Sequence, residues 1–364
     1  MFTIPSPIRK TRLEWLDALR GFTMLLVVAN HVYGSSLNAN TDRSMFMSLC
    51  LMFRMPLFFF VSGFLAYKAS MIWSGRETLA LMWKKVKVQL IPTLVFMTAY
   101  VALVANHFWE QFVHAWSTPT KSGFWFTLVL LEMFVVYYVV CFIIRRIVWL
   151  RDREDDPFEL VALLVVWAIS FFGYTTMYMP AWFTWPKEEV WQWTSLTEFV
   201  RYFHFFLFGN FCHRYWDRFQ QLLDAPWFYP LLVVVAFFCA GDYLVWHTLR
   251  LQWANLPRTL AMYTLVIMVV AFFRHYSDSF SRETRVGATL QYIGVRTLDV
   301  YLLHYFFLPH LRFLGPMFKA RPTSFAIDAT LSLALTALVV GLALLTSNIL
   351  RVSPFLKKWL FGRM

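Results

Sequence analysis

Asp17, Arg20 and His31 stand in a stretch that is otherwise almost wholly apolar, Leu16-Asp17-Ala18-Leu19-Arg20-Gly21 running on to Asn30-His31. At about 100° per residue, the step from Arg20 to His31 comes within about 20° of a whole number of turns. Asp17 precedes Arg20 by one helical turn, so the three side chains share one face of a helix. The rise from Arg20 to His31 is about 16 Å, roughly half the thickness of a bilayer's hydrocarbon. A carboxylate, a guanidinium and an imidazole on one stripe are the parts of a proton-transfer site with a cation beside it for an anionic or carbonyl ligand. The plainer alternative is an Asp17–Arg20 ion pair at an interface, with His31 as an interhelical hydrogen bonder.

Other polar residues sit in the same wrong solvent. Arg54 lies near the middle of Phe53-Arg54-Met55-Pro56-Leu57-Phe58-Phe59-Phe60-Val61-Ser62-Gly63-Phe64-Leu65. It is too deep to snorkel and needs an anionic or carbonyl partner from protein or substrate. Glu132 is similarly deep, and an Arg54–Glu132 pair serving as structural glue is the sober reading of both. Asp299 and His304 fall in a later apolar run, and Asp242 in another. Arg201, Arg258, Arg296 and Arg312 lie close enough to run ends to reach an interface.

The elements that must position these residues follow from composition. The chain has 364 residues, 59% hydrophobic, 20% aromatic and 15% charged, with mean hydropathy +0.54. A soluble domain is nearer 25% charged, and a disordered chain lacks such apolar content. We expect an all-α, polytopic transmembrane helical bundle of about ten spanning helices forming one domain over 1–364. The spans read at 16–35, 45–67, 88–107, 124–144, 158–177, 196–212, 227–246, 258–273, 290–314 and 324–350, the third open to an earlier start. Pro56 and Pro309 fall inside runs, where each should kink or unwind its helix.

The net charge of +12 would suggest nucleic acid in a soluble protein, but topology accounts for it. The loops on the side of the termini hold 21 Lys and Arg, the opposite loops 6. That bias predicts cytoplasmic N- and C-termini. Cys50, Cys141, Cys212 and Cys239 lie in apolar runs at unrelated spacings, and read as packing residues. Trp182, Trp185, Trp191 and Trp193 crowd an outer loop, as an aromatic belt or as a platform for a sugar or lipid acceptor. No phosphate loop, dinucleotide fingerprint or zincin motif occurs, so ATPase, nicotinamide and metalloprotease chemistry have no support, and no metal is expected.

The first-span motif with its His31 resembles the signature of the acyltransferase-3 family, integral-membrane enzymes that O-acylate bacterial surface and secreted glycans. The stretch Phe53 to Leu65 is similar to that family's second span. Trp125-Phe126 and Tyr301-Leu302-Leu303-His304 match its later aromatic and Tyr-x-x-His elements. The form Phe-Arg-Met-Pro-Leu-Phe looks like the branch of osmoregulated-glucan succinyl transferases. Where relatives carry Arg-x-x-Arg before a proline, this chain has Lys84-Lys85-Val86-Lys87-Val88-Gln89-Leu90-Ile91-Pro92, basic without either arginine.

The resemblance implies a multi-pass protein of the bacterial inner membrane that moves an acetyl or succinyl group from cytoplasmic acyl-CoA to a hydroxyl of an extracytoplasmic glycan or glycolipid. It implies no permanently bound cofactor; acyl-CoA, membrane lipid and a carbohydrate acceptor are the expected partners, and nucleic acid is not. His31 would be the general base, since imidazole titrates near neutral pH. Arg20 would meet the entering donor and Asp17 would orient Arg20. Arg54, Glu132, Trp125, Tyr301 and His304 would contact substrate, and Lys84, Lys85 and Lys87 would attract the donor's phosphates. The competing class is a transporter or flippase for a glycan or lipid, which also needs buried charge and predicts movement of substrate without release of CoA.

Overall fold

The computed structural model describes residues 13–68, 74–150, 156–176, 193–242 and 256–361. Among them every regular element is helical. Trp182, Trp185 and Trp191 lie outside the described residues, and Trp193 is exposed.

Helix α1 (Glu14–His31) carries the polar stripe and passes into a π-helical turn at Val32–Ser36. Ser44 caps α2 (Met45–Ala66), its hydroxyl accepting from the Met47 N–H; α2 runs unbroken through Pro56. The third span starts well before residue 88. A reciprocal capping box between Ser74 and Glu77 opens α3 (Gly75–Lys85), which continues through a π-helical segment at Val86–Leu90 into α4 (Ile91–Val104). A short outer helix, α5 (Phe108–Ser117), precedes α6 (Trp125–Leu150) and α7 (Asp156–Thr176). Then come α8 (Leu196–Arg214), the amphipathic α9 (Trp216–Asp224), α10 (Phe228–Gly241) and α11 (Leu256–His275).

The ninth predicted span is not one helix. It is divided into α12 (Arg285–Gly294), α13 (Thr297–Leu303) and a 3-10 turn at His304–Phe307, with irregular chain around Pro309. Proline cannot donate to a helical ladder, and here it falls after the helix has ended. A short helix α14 (Gly315–Ala320), the long α15 (Phe325–Leu350) and α16 (Pro354–Phe361) complete the described chain.

Among the described residues six helical runs are long and apolar enough to cross a membrane: Met45–Ala66, Gly75–Val104, Trp125–Ile147, Phe158–Thr175, Leu256–His275 and Phe325–Leu350. A seventh is reached if α9 and α10, bent by 83°, count as one span. Helices α1, α8 and α13 are too polar or too short to qualify, although they hold much of the buried polar chemistry. Helix α2 lies innermost, with 72% of its apolar window buried against 28% for α7 and α15, which face outward.

Two backbone-to-backbone crossings fix the centre. Gly63 of α2 and Gly209 of α8 face each other so closely that a Cβ on either would strike the other helix's backbone, at Phe206 and Phe60 respectively. Gly21 of α1 and Gly294 of α12 cross in the same way, against the carbonyls of Leu290 and Asp17. Small residues at such points allow helices to approach in lipid, where no hydrophobic force between helices drives packing. The second crossing sets the cytoplasm-predicted end of α1 against the start of α13.

Candidate active site

On α1, Arg20 Nη1 donates to Asp17 Oδ1 at 3.3 Å and Nη2 donates to Thr297 Oγ1 at 3.2 Å, which ties α1 to the first turn of α13. Asp17 is buried and Arg20 partly so. Arg20 also lines a cavity of about 340 Å³ on the side of the bundle from which α1 starts. Lys68, Lys84 and Lys85 share that lining, while Phe58, Phe126 and Tyr301 form its apolar inner wall. Lys85 Nζ lies 3.3 Å from the centroid of the Phe134 ring, a cation–π contact that holds the ammonium at the wall. Lys87 does not line this cavity; its ammonium sits 5.5 Å over the Trp83 ring. Asp299, also on the lining, is committed to Arg351 Nη2 and Nε at 2.5 and 2.9 Å and to Ser347 Oγ at 2.6 Å, a latch between α13 and α15.

His31 stands at the other end of the stripe. Its Nε2 is 3.2 Å from the Tyr305 hydroxyl, and the His304 ring centroid is 5.2 Å away. His304 is wholly buried; Nδ1 donates to the carbonyl of Tyr301 at 2.7 Å, and Nε2 has no partner among the described residues. An imidazole held in that tautomer presents a bare lone pair, an acceptor for a hydroxyl or N–H brought by a ligand.

Arg54 reaches the same centre from α2, close enough for its charge to be felt at His31. Its partners are neutral: Nη1 donates to the Val27 carbonyl at 3.4 Å, and Asn30 Oδ1, with the amide turned to suit, accepts from Nη1 and Nη2 at 3.2 and 3.3 Å. The Arg54–Glu132 pair is not formed. Glu132 stands on α6, with Oε2 unpartnered and Lys121 as its electrostatic neighbour. A guanidinium neutralised by no carboxylate among the described residues is a standing attraction for a carboxylate or an oxyanion.

Tyr301 lies on the inner wall of the large cavity. Its hydroxyl donates to the Gly123 carbonyl at 2.5 Å and accepts from the Phe126 N–H at 3.2 Å. Trp125 is elsewhere, stacked on Tyr202 with centroids 6.0 Å apart. Tyr305 also lines a second cavity, of about 160 Å³, together with Ser35, Tyr100, His310 and Arg312. The Tyr301–Gly123–Tyr305 cluster, with His31 against it, thus stands between two cavities.

Tyr305 and Gly123 escape a reading based on polar residues in apolar runs. The only signal was turn composition: Lys121-Ser122-Gly123 precedes an apolar run. All three have positive φ, at 47°, 51° and 98°. A Cβ on Gly123 would strike the Tyr305 ring and hydroxyl, so both the backbone angle and the space demand glycine. Lys121 steadies the turn, its buried ammonium donating to the carbonyls of Trp116 and Thr118 at 2.5 and 3.0 Å. Burial pushes that ammonium down to about 8, partly opposed by Glu132.

A family model described as an acyltransferase domain matches residues 13–350, which include every residue of this site. Comparison with curated proteins and with solved structures gives no match.

Proposed function

Since the chain belongs to the acyltransferase-3 family and is a membrane acyltransferase, we propose that it moves an acetyl or succinyl group from acyl-CoA to a hydroxyl of a glycan or glycolipid, with His31 as general base. The observation that carries this reading is the continuity of the site. A cavity rimmed by Arg20, Lys68, Lys84 and Lys85 ends at Tyr301, which shares the Gly123 carbonyl with the tyrosine bonded to His31.

Phosphates of the donor would rest at the cationic rim, which on this reading faces the cytoplasm of a bacterial inner membrane, as the excess of basic residues in the neighbouring loops favours. Lys84 and Lys85 supply point charges there; Lys87, turned onto Trp83, would add only to the long-range field. The thin pantetheine arm would pass between Phe58, Phe126 and Tyr301 toward His31. The acceptor would come from the opposite side, through the cavity lined by Tyr305.

The transfer then needs little else. The acceptor oxygen attacks the thioester carbon as His31 takes its proton; the C–O bond forms, the C–S bond breaks, and the departing sulfur receives the proton. Arg54 is the nearby cation for the oxyanion, or for the carboxylate of a succinyl group. His304 Nε2 would hold a donor group of the substrate. Glu132 and Trp125, off the cavity walls, would act through packing and field. Asp17 would keep Arg20 aimed at Thr297 and the donor.

Purified protein in lipid nanodiscs, given acetyl-CoA or succinyl-CoA, will release free thiol in proportion to acyl ester formed on an added glycan. Ester formation without thiol release would overturn the donor assignment, and movement of glycan without either would return the chain to the transporter class. Reversing charge with Lys84→Glu and Lys85→Glu together will raise KM for acyl-CoA by about 5–10-fold at low salt and less at high salt, since Lys84 is exposed and Lys85 only partly buried. An unchanged KM would remove the phosphates from this rim.

A further inference from the structure

The Tyr305 hydroxyl has one proton and two neighbours able to take it, the Gly123 carbonyl at 3.0 Å and His31 Nε2 at 3.2 Å. A carbonyl only accepts, so the Gly123 contact is a hydrogen bond only with Tyr305 as donor, and both contacts are hydrogen bonds only when His31 donates the other. Tyr301 also donates to Gly123, and its oxygen accepts from the Phe126 N–H. A carbonyl oxygen has two lone pairs and accommodates a second hydroxyl. With both tyrosines donating to Gly123, the Tyr305 oxygen is left as an acceptor, and His31 meets it with Nε2–H. The lone pair of the neutral imidazole is then on Nδ1, which makes no hydrogen bond among the described residues.

We propose that Tyr305 is the positioning residue of His31. Its hydroxyl, backed by the Gly123 carbonyl, fixes the ring and the tautomer of the imidazole and leaves Nδ1 as the proton-accepting atom. This rests on the reading of His31 as base. When Nδ1 takes the proton of the acceptor hydroxyl, the imidazolium keeps Nε2–H on the Tyr305 oxygen, and that bond becomes charge-assisted. The proton leaves again from Nδ1 to the sulfur; none passes through Tyr305. The arrangement follows the logic of a catalytic triad, in which a base is oriented by a third group. Here the third group is a neutral hydroxyl aimed by a backbone carbonyl instead of a buried carboxylate.

The surroundings hold Tyr305 to this task. Its ring packs on His304 at 4.0 Å, Phe124 at 5.1 Å and Tyr100 at 5.9 Å between centroids. The Gly123 carbonyl is presented from a turn in which Lys121 and Ser122 are held at positive φ, backbone strain that persists only where the surroundings impose it.

Tyr305→Phe keeps the ring and its packing and removes only the hydroxyl. It is expected to lower kcat by about 10²-fold, less than the ~10⁴ that follows loss of a charged orienting carboxylate. KM for acyl-CoA and the unfolding temperature will stay at wild-type values. Combined with His31→Gln it will cost no more than His31→Gln alone, because the two residues act as a unit. A kcat within about twofold of wild type, a parallel loss of stability and KM, or full additivity in the double variant would each overturn the proposal. If His31→Gln is itself active, the base reading fails first; if only Tyr305→Phe is active, the base stands and the positioning role of Tyr305 falls.

Discussion

His31→Gln will lower kcat for acyl transfer by about 10³-fold, with KM for acyl-CoA within about twofold of wild type. A positioned general base contributes roughly 10²–10⁴-fold. Glutamine fills similar space and can donate and accept hydrogen bonds, but it takes no proton at neutral pH. On the proposed reading the donor's phosphates would bind at the far end of the α1 stripe, around Arg20, Lys84 and Lys85, so the loss belongs in kcat. Steady-state thiol release with saturating acceptor measures it. Activity at more than about a tenth of wild type would remove the base from His31. His304, whose Nε2 is already bare and whose tautomer is fixed by the Tyr301 carbonyl, would be the next residue to change.

Gly209→Val will prevent the protein from accumulating in a folded form, because α2 and α8 touch backbone to backbone at this point. A Cβ on Gly209 meets the Phe60 carbonyl, and neither backbone can yield without parting the helices. Overpacking a well-filled core commonly costs about 1–3 kcal/mol through side-chain shifts, and a clash with fixed backbone lies at or beyond the upper end. Parting these helices also displaces α2, the helix that brings Arg54 to His31. Gly341→Val is the matched control: nothing lies within 4 Å of a Cβ there, on the outward face of α15, and its yield and unfolding temperature will match wild type. Equal behaviour of the two variants in detergent-solubilised yield and thermal unfolding would show that the crossing tolerates separation.

The sequence was most informative where a residue violated its solvent. Asp17, Arg20, Arg54, His31 and His304 stand out because each is polar in an apolar run, and the helical period puts the first-span residues on one stripe. Periodicity says nothing about which residue of another helix faces that stripe, so Arg54 could be seen to need a partner without its being identified. The partners are the Val27 carbonyl and Asn30, the neighbour of His31 in sequence. Lys87 illustrates a change of phase. It falls in the π-helical segment Val86–Leu90, where extra residues per turn rotate the face away from that of Lys84 and Lys85. Tyr305 was hidden for a different reason: a tyrosine next to other aromatics in an apolar run looks like packing, and its role depends on a turn 182 residues earlier in the chain.

The run of about ten spans was legible as apolar content but not as helices. Among the described residues six or seven runs meet length and apolarity, and the ninth predicted span is divided between α12, α13 and a 3-10 turn. The breaks fall at 295–296, just after Gly294 crosses α1, and at Leu303–His304, before Pro309, and no residue there changes mean hydropathy enough to interrupt a run.

The helices that hold the chemistry are the ones least able to enter a bilayer alone, and this has a consequence for how the protein is made. Helix α1 carries Glu14, Asp17 and Arg20, and α13 has only seven residues before its 3-10 turn. Charged residues oppose release into lipid, by about 2.5–3.5 kcal/mol each at a helix centre and by less toward an end, where these three lie. The apolar helices α2, α6, α11 and α15 can partition as they emerge from the ribosome. By contrast, α1 reaches its final place against α12 only after 285 and later residues have been synthesised, and Asp299 meets Arg351 later still. The polar centre is therefore completed only once its partners from the other end of the chain have been synthesised.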